Sequence, residues 1–489
     1  MKKYILTAFA ACALFSSCSE DYLTKGPGDE VSTDQMNDLL LQNPEQAYVI
    51  FDGALQGNNK YLMEFNTNGA GAHDDFGYMS IKLGLDHMGN DLVMESNQWF
   101  VNYYNYTARQ VSNTRNQMVW KFYYKVIYNM NDVIKRIEAS PIADNDSGKQ
   151  LVARAKALRA NSYFDLVRIY ANGEEGIPYY EANGVYDSSR VPTSQIMAYI
   201  ERDLLESYNY LTPSQSYISD INQNVVAGFL SRFYLTKGDY TKAAQYSNLA
   251  RQGYALMGRD GLAAGFSDVK DASANSEYMW GADITVATTA VYASFFSMMD
   301  NTNAGYAGLL GQIRKIDKRL YDQIPDSDYR KAWFASEDTE INGYEIPKYA
   351  NLKFSDKTFF YGDYVFMRVA EFYFNEAEAL ALSGSEAQAK QVLFEIMSTR
   401  NPEYTLSTNS GQALLDEIRI NKRIEMWGEG LEFFDMKRNN IPLLRNYEGS
   451  NHTSLGNPHN YEAGSAKFIF QIPQAEINTN GNITNQNPF

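Results

Sequence analysis

Apolar side chains recur every three to four residues along much of the first half of this chain, and that period commits the backbone to helices. Trp120, Tyr123, Ile127, Met130, Ile134 and Ile137 predict a helix over 117–139, broken by Pro141 and the turn-rich run from Asp144 to Gly148. A second helix is expected from about Lys149 to Tyr170. It is apolar on two sides, with Ala153, Ala157, Ala160, Phe164 and Val167 on one stripe and Leu151, Ala155, Leu158, Leu166 and Ile169 on another. Such a helix lies between neighbours, and its alanines permit close approach. Ile196, Ile200, Leu204, Tyr208 and Leu211 mark a third helix, capped by Thr193 and stopped before Pro213.

The segment AGFLSRFYLTKGDYTKAAQYSNLARQ (227–252) resembles a tetratricopeptide repeat through Leu230, Ser231, Tyr234, Gly238, Ala243 and Ala250. A second copy places Tyr373, Ala377, Leu380, Gly384, Ala389 and Ile396 at the same spacing. Helix pairs of this kind bury their apolar faces only by stacking on neighbours. The period fails over 52–106 and 256–366, which are rich in Gly, Asp, Asn and Tyr, with β-like pieces such as Tyr278–Thr285; the tail from 446 is Asn-rich. The expected fold is therefore mainly α: tetratricopeptide-like helix pairs packed against an irregular, loop-rich half with a few short strands. Long irregular stretches on a rigid frame are where ligand contacts are expected.

The chain opens as an export signal. Lys2 and Lys3 precede an apolar run, residues 5–15, and Ser16 and Ser17 lead into Cys18. This resembles a bacterial lipoprotein signal, in which the Cys18 thiol is acylated and becomes the first residue. Cys12 leaves with the leader, so neither disulfides nor thiolate metal sites are expected. The expected organisation is a signal peptide at 1–17, a lipidated tether at 18–25, an N-terminal part at 26–255 and a C-terminal part at 256–489. The net charge of −16 argues against nucleic acid, whose phosphates require a basic stripe, and against docking on anionic lipid. Lipid acyl chains would be the only membrane anchor.

Catalytic templates are missing. No HExxH, GxSxG, GxxxxGK[ST] or GxGxxG occurs. Arg159, Asp165, Arg168, Arg423, Glu425, Glu429, Asp435 and Arg438 lie within apolar helical patterns, where charges persist only when paired. They read as a structural ion-pair network in preference to a catalytic carboxylate pair. His73-Asp74-Asp75 and Asp86-His87 read as turn and cap residues in preference to a hard-cation site. No cofactor is implied.

A binding role has positive support. Sugar rings present flat C–H faces to aromatic rings, while amides, carboxylates and guanidinium groups bond the hydroxyls. The run from Ser96 to Tyr106 offers Trp99 to stack and Asn102 and Tyr103 to hydrogen-bond. A second cluster, Tyr292, Phe295, Phe296 and Tyr306, lies in the central irregular region beside Asn301 and Asn303. Trp120, Trp280, Trp333 and Trp427 are assigned to the core.

LLDEIRINKRIEMWGEGLEFFDMKR (414–438) resembles the signature of the SusD/RagB family of nutrient-binding outer-membrane lipoproteins, through Arg423, Glu425, Gly428, Glu429, Gly430, Phe433, Asp435, Lys437 and Arg438. Leu431-Glu432 depart from it where the family usually has an Arg beside the aromatic. ALRANSYFDLVRIYANGEEGIPYY (157–180), NSEYMWGADI (275–284), LYDQIPDSDYRKAWF (320–334) and the ending FQIPQAEINTNGNITNQNPF (470–489) resemble other family segments. The resemblance implies a lipid-anchored lid, facing the cell exterior, on a SusC-like TonB-dependent transporter, with the helical repeats as the partner surface. It implies an oligosaccharide or polysaccharide ligand held by the two irregular regions and delivered without chemistry. Two alternatives stay open: capture of peptides, as in RagB-type members, and a glycoside hydrolase on a helical scaffold.

Overall fold

The computed structural model describes Asp38 and residues 42–185, 187–452 and 459–489; the leader, Cys18 and the tether lie outside the described residues. The helices come first in the hierarchy, because each satisfies its own backbone. Helix α1 (Pro44–Tyr61) and α2 (Tyr78–Asp86) precede two long antiparallel neighbours, α3 (Thr114–Glu138) and α4 (Asp146–Tyr170). Asn113 and Asn145 cap these two, accepting from the amides of Arg115 and Gly148. As its two stripes require, α4 is buried on both sides, between α3 and α5 (Thr193–Tyr210).

The repeat segments form helix pairs. Helices α6 (Gln223–Lys237) and α7 (Tyr240–Ala250) turn at Gly238, whose φ of 80° suits a residue without Cβ, and Asp239 caps α7. Ser231 and Ser247 meet across this pair with hydroxyls 2.7 Å apart. Helices α8 (Ala370–Leu382) and α9 (Glu386–Arg400) turn at Gly384 in the same way, and α10 (Gln412–Glu425) packs on α8. Because α7 also packs on α8, the helices from α3 to α10 form one succession of neighbours. A short helix α11 (Glu432–Arg438) and the terminal α12 (Gln474–Thr479) follow.

Four short strands stitch the irregular regions together. Strand β1 (Leu92–Met94) pairs antiparallel with β3 (Arg314–Ile316), Val93 facing Lys315, and β2 (Tyr278–Ala282) pairs with β4 (Tyr364–Arg368). One apolar core runs from Ala47 to Ile483, and a smaller cluster fills the space among α8, α9 and α10. Trp120, Trp280, Trp333 and Trp427 all lie in the main core, as their periodic settings indicate. No helix among the described residues is long and apolar enough to cross a membrane.

Two expectations need correction. Residues 52–106 are not uniformly irregular, because α1 and α2 occupy part of them. Every residue of α2 is buried, so it has no polar face to generate a period. Thr193 does not cap α5: it is the first helical residue, and its hydroxyl donates instead to the Gly173 carbonyl at 2.7 Å.

The charged residues of the helical patterns are all ion-paired. Glu425 meets Arg330, Arg368 and Arg400; Glu429 meets Lys353 and Arg368; and Glu277 bridges Arg368 and Arg400. Arg159 pairs with Asp203, Arg168 with Asp165, Arg423 with Asp91, Asp435 with Lys422, and Arg438 with Glu378. Burial raises the Glu425 carboxyl, but the surrounding guanidinium groups overcome this and hold it well below the usual carboxylate range.

Candidate ligand-binding surface

The β1–β3 ladder brings the two irregular regions side by side, and the aromatic residues they carry meet just beyond its end. After β1 the chain reaches Phe100 in a left-handed conformation (φ 72°); this fully buried ring stacks 5.0 Å from His87. That turn lifts Trp99 to the rim. Beneath it lies Arg314, fully buried, which donates through Nε to His87 Nε2 (2.9 Å) and through Nη2 to the Trp99 carbonyl (3.3 Å). Burial pushes the Arg314 guanidinium down to about 9 and His87 well below its ordinary value, so His87 stays a neutral acceptor.

The Trp99 ring stacks on His73 (5.5 Å, 14°) and stands nearly perpendicular to Tyr306 (6.0 Å, 83°). The Tyr306 hydroxyl lies 2.6 Å from His73 Nδ1, and Phe65 meets the other edge of His73. The Arg115 guanidinium sits 5.9 Å from the Trp99 ring centre and is clamped by two hydrogen bonds to Asp74. Tyr306 arrives on a tight loop whose base is Gly305, where a Cβ would lie 2.7 Å from Ser297 Cα. The loop returns through the Gln312 amide to the Tyr306 carbonyl, and the Gln312 side chain reaches Gln98 at 2.5 Å. The product is a right-angled aromatic corner of Trp99, His73 and Tyr306, its two loops tied by the Gln312–Gln98 hydrogen bond.

The structure sorts the six sequence-derived candidates into different positions. Trp99 and Tyr306 meet at the corner. Asn102 is half-buried and accepts from the Thr107 hydroxyl at 3.0 Å, bracing its own turn. Tyr103, expected to hydrogen-bond a ligand, is corrected to a core residue: it is fully buried, and its ring packs where a Cβ on Gly84 would otherwise lie. Phe296 is likewise corrected, 1% exposed and packed beneath Gly362. Tyr292 is 44% exposed but joins Phe359 and Phe360 on a separate patch, 5.3 Å from the Phe360 ring.

Sequence reasoning missed His73 and Arg115 as members of this surface. His73 was grouped with Asp74 and Asp75, yet the three diverge: Asp74 binds Arg115, Asp75 accepts from Thr67 and the Asn68 amide, and His73 turns to Tyr306. Only a contact 233 residues away in sequence identifies His73 as an aromatic-corner residue. Among the described residues, no group of three His, Cys, Asp or Glu side chains is arranged to hold a metal ion.

Comparison with known proteins agrees with this architecture. The model of the SusD family matches residues 299–489, and a SusD-like model described as "Starch-binding associating with outer membrane" matches residues 62–235. SusD-like protein P2 of Formosa agariphila is 23% identical over 422 residues, covering 76% of this chain and 79% of its own. A SusD-like carbohydrate binding protein from Bacteroides vulgatus superposes with a TM-score of 0.78 at 24% identity, over 89% of this chain and 97% of that one. A SusD superfamily protein from Bacteroides thetaiotaomicron gives 0.76 at 22%, over 90% and 100%. A laminarin binding SusD-like protein gives 0.66 at 19%, over 91% and 99%. The chain belongs to the SusD/RagB family.

Proposed function

We propose that this protein is a lipid-anchored glycan-capture protein of the outer membrane that takes up oligosaccharide at the Trp99 corner and passes it to a TonB-dependent, SusC-like transporter. The observation that carries the reading is the perpendicular pair of Trp99 and Tyr306, fixed through His73 and Arg314 to a rigid frame. Two aromatic walls at a right angle suit the flat faces of linked pyranose rings, and the Arg115 guanidinium beside Trp99 and the exposed Gln98 next to it in sequence offer polar groups for sugar hydroxyls. Family membership and the laminarin binding neighbour support a carbohydrate ligand, and the description of the second matching model supports the outer-membrane setting. Acylation of Cys18 supplies the anchor, and the helix pairs supply the transporter-facing surface.

A hydrolase would need two carboxylates free to act at this corner. Asp74, the carboxylate held against Arg115, has a fully buried side chain and is neutralised by that guanidinium. Glu425, Glu429 and Asp435 are occupied by buried cations. The reading is therefore capture without turnover.

Affinity electrophoresis and calorimetry of residues 26–489 against polysaccharides and peptide mixtures test it. Retardation by one glycan class, weakened more than tenfold in Trp99→Ala, with no reducing sugar released, is the expected result. Release of sugar would make the protein an enzyme, and binding of peptides alone would replace the ligand class.

A further inference from the structure

The C-terminal end of α4, the start of α5 and the short helix α11 enclose a pocket of about 320 Å³, at the small end of the range for ligand sites. Val167, Met197 and Phe434 give it apolar surface, and Thr193 and Thr236 add hydroxyl-bearing side chains. Three cations line it, Arg168, Lys437 and Arg438, and no carboxylate does. Two of the three are already neutralised, Arg168 by Asp165, and Arg438 by Glu378 and Asp435. Among the described residues, Lys437 makes no ion pair. Its Nζ donates to the Arg168 carbonyl, one of the last four of α4 and so without a partner inside the helix. An ammonium has three N–H groups, so two remain for another acceptor.

We propose that this pocket binds a small organic carboxylate of monosaccharide size, a hexuronate being the model, with the carboxylate on Lys437. The inference does not depend on the Trp99 corner. An unpaired ammonium beside Phe434 and the Arg168 guanidinium is unfavourable, because burial disfavours its charge and nothing nearby offsets that. Burial and the Arg168 charge accordingly push Lys437 down to about 7. A bound carboxylate supplies the missing partner through charge-assisted hydrogen bonds. The rest of the pocket indicates what carries that carboxylate. One free ammonium matches one negative charge, and the apolar remainder suits an organic body better than an inorganic ion. A sugar ring can lay a C–H face on Phe434 and Met197. The Thr193 and Thr236 hydroxyls donate to the Gly173 and Arg232 carbonyls and keep lone pairs for sugar hydroxyls.

No carboxylate of the protein is placed to take the ligand's part. Helix α4 presents Arg168, whose guanidinium lies between the Phe164 and Phe434 rings, 4.1 and 3.6 Å from their centres, and pairs with Asp165. Helix α11 presents Arg438, whose partners are Glu378 on α8 and Asp435 on its own helix; Asp435 also holds Lys422. The residues that α5 and α6 contribute, Thr193, Met197 and Thr236, are uncharged. At the edge, Glu174 accepts from the Ser194 hydroxyl at 2.7 Å. Gly173 beside it is exposed, and a Cβ there would meet no atom within 4 Å, so the pocket opens to solvent at that point. In a chain of net charge −16, a pocket lined only by cations is a local attractor for an anion.

Calorimetry of residues 26–489 tests the site with sodium glucuronate, sodium galacturonate and trigalacturonate, and with glucose and sodium sulfate as controls. The expected result is binding of a hexuronate but not of glucose, weakened roughly tenfold or more in Lys437→Gln, whose amide still offers the Arg168 carbonyl a donor. Wild-type binding should also weaken roughly tenfold or more from about pH 6 to about pH 8.5, as the ammonium loses its proton. Met197→Glu places a carboxylate inside the pocket and should abolish binding; it serves as the second variant if circular dichroism shows Lys437→Gln unfolded. Trp99→Ala should leave hexuronate affinity unchanged within about twofold. Tighter binding of trigalacturonate than of galacturonate identifies a polysaccharide end as the source, and the reverse identifies the free acid; both uphold the site. Unchanged affinity in the folded Lys437 or Met197 variant overturns it. So does equal binding of glucose, binding of sulfate alone, loss of binding in Trp99→Ala, or no binding of any carboxylate at about 10 mM. None of these outcomes decides the capture reading.

Discussion

The helix pairs and the loop-rich half hold themselves together by different means. In α6–α9 the backbone is satisfied within each helix, and the helices meet through small or apolar side chains such as Ser231, Ser247, Ala377 and Ala389, with one buried ion pair, Arg232–Glu371, joining α6 to α8. In the loop-rich half, buried polar side chains take over the work of secondary structure. Arg445, 1% exposed, donates to the carbonyls of His87, Gly89 and Tyr104, and Asn301 and Asn351 bind backbone carbonyls across the β3 region. Irregular backbone is thus kept rigid by long-range side-chain donors, and this is what permits a binding corner to be built from loops. Rigidity here does not depend on regular structure.

Glu425 stands where the two halves join, so its removal is the strongest way to break the contrast. Glu425→Ala leaves Arg330, Arg368 and Arg400 without their shared acceptor, and a loss of about 3–5 kcal/mol is expected, read from guanidinium chloride unfolding. Both halves should unfold together, at a midpoint well below that of the wild type. Separate transitions would show that the network serves only one half.

Asp86 sharpens the contrast through pH. Its Oδ2 accepts from the Gly430 amide, but its Oδ1 has no partner, and burial raises the carboxyl to about 7. The folded protein therefore holds a proton that the unfolded chain releases near 3.8. Stability from this group is complete below that value, falls as pH rises through the window, and is lost above about 7. Asp86→Asn has no such cost. Its advantage over the wild type should grow from pH 4 to pH 8, to an upper bound of about 4 kcal/mol. An advantage independent of pH would remove Asp86 as the titrating group.

Arg314→Met tests the loop half alone. The acceptors on His87, Gln312 and Trp99 are left buried without a donor, at a cost of about 1–3 kcal/mol. Hydrogen exchange should accelerate in β1 and β3 and Trp99 emission should shift, while protection of α6–α9 is retained. Loss of protection in both regions would mean that the helices depend on the loops for their order.

Much of the helical frame was legible because its information is local. The stripes of α3 and α4, the Gly238 and Gly384 turns and the four core tryptophans all follow from spacings of a few residues. The paired charges were legible too, since an ionised group on an apolar stripe has to find a partner. Helix α2 was hidden because total burial erases the period that betrays a helix.

The candidate site was legible only in part. Trp99 and Tyr306 were named from composition, but the grouping of Tyr306 with Tyr292 and Phe296 followed chain order, and packing separates all three. Asn102 and Tyr103, beside Trp99 in sequence, turn inward to brace and fill the loop. By itself, then, the sequence determined the helix pairs, the core tryptophans, the ion-paired helices and the family signature, because each is written in near-neighbour spacing. The tertiary structure alone decided which aromatic rings share a surface. His73 reaches Tyr306 across 233 residues, and Arg314 orients Trp99 across 215. Contacts of that separation come from the packing of distant segments, which no local pattern of side chains encodes.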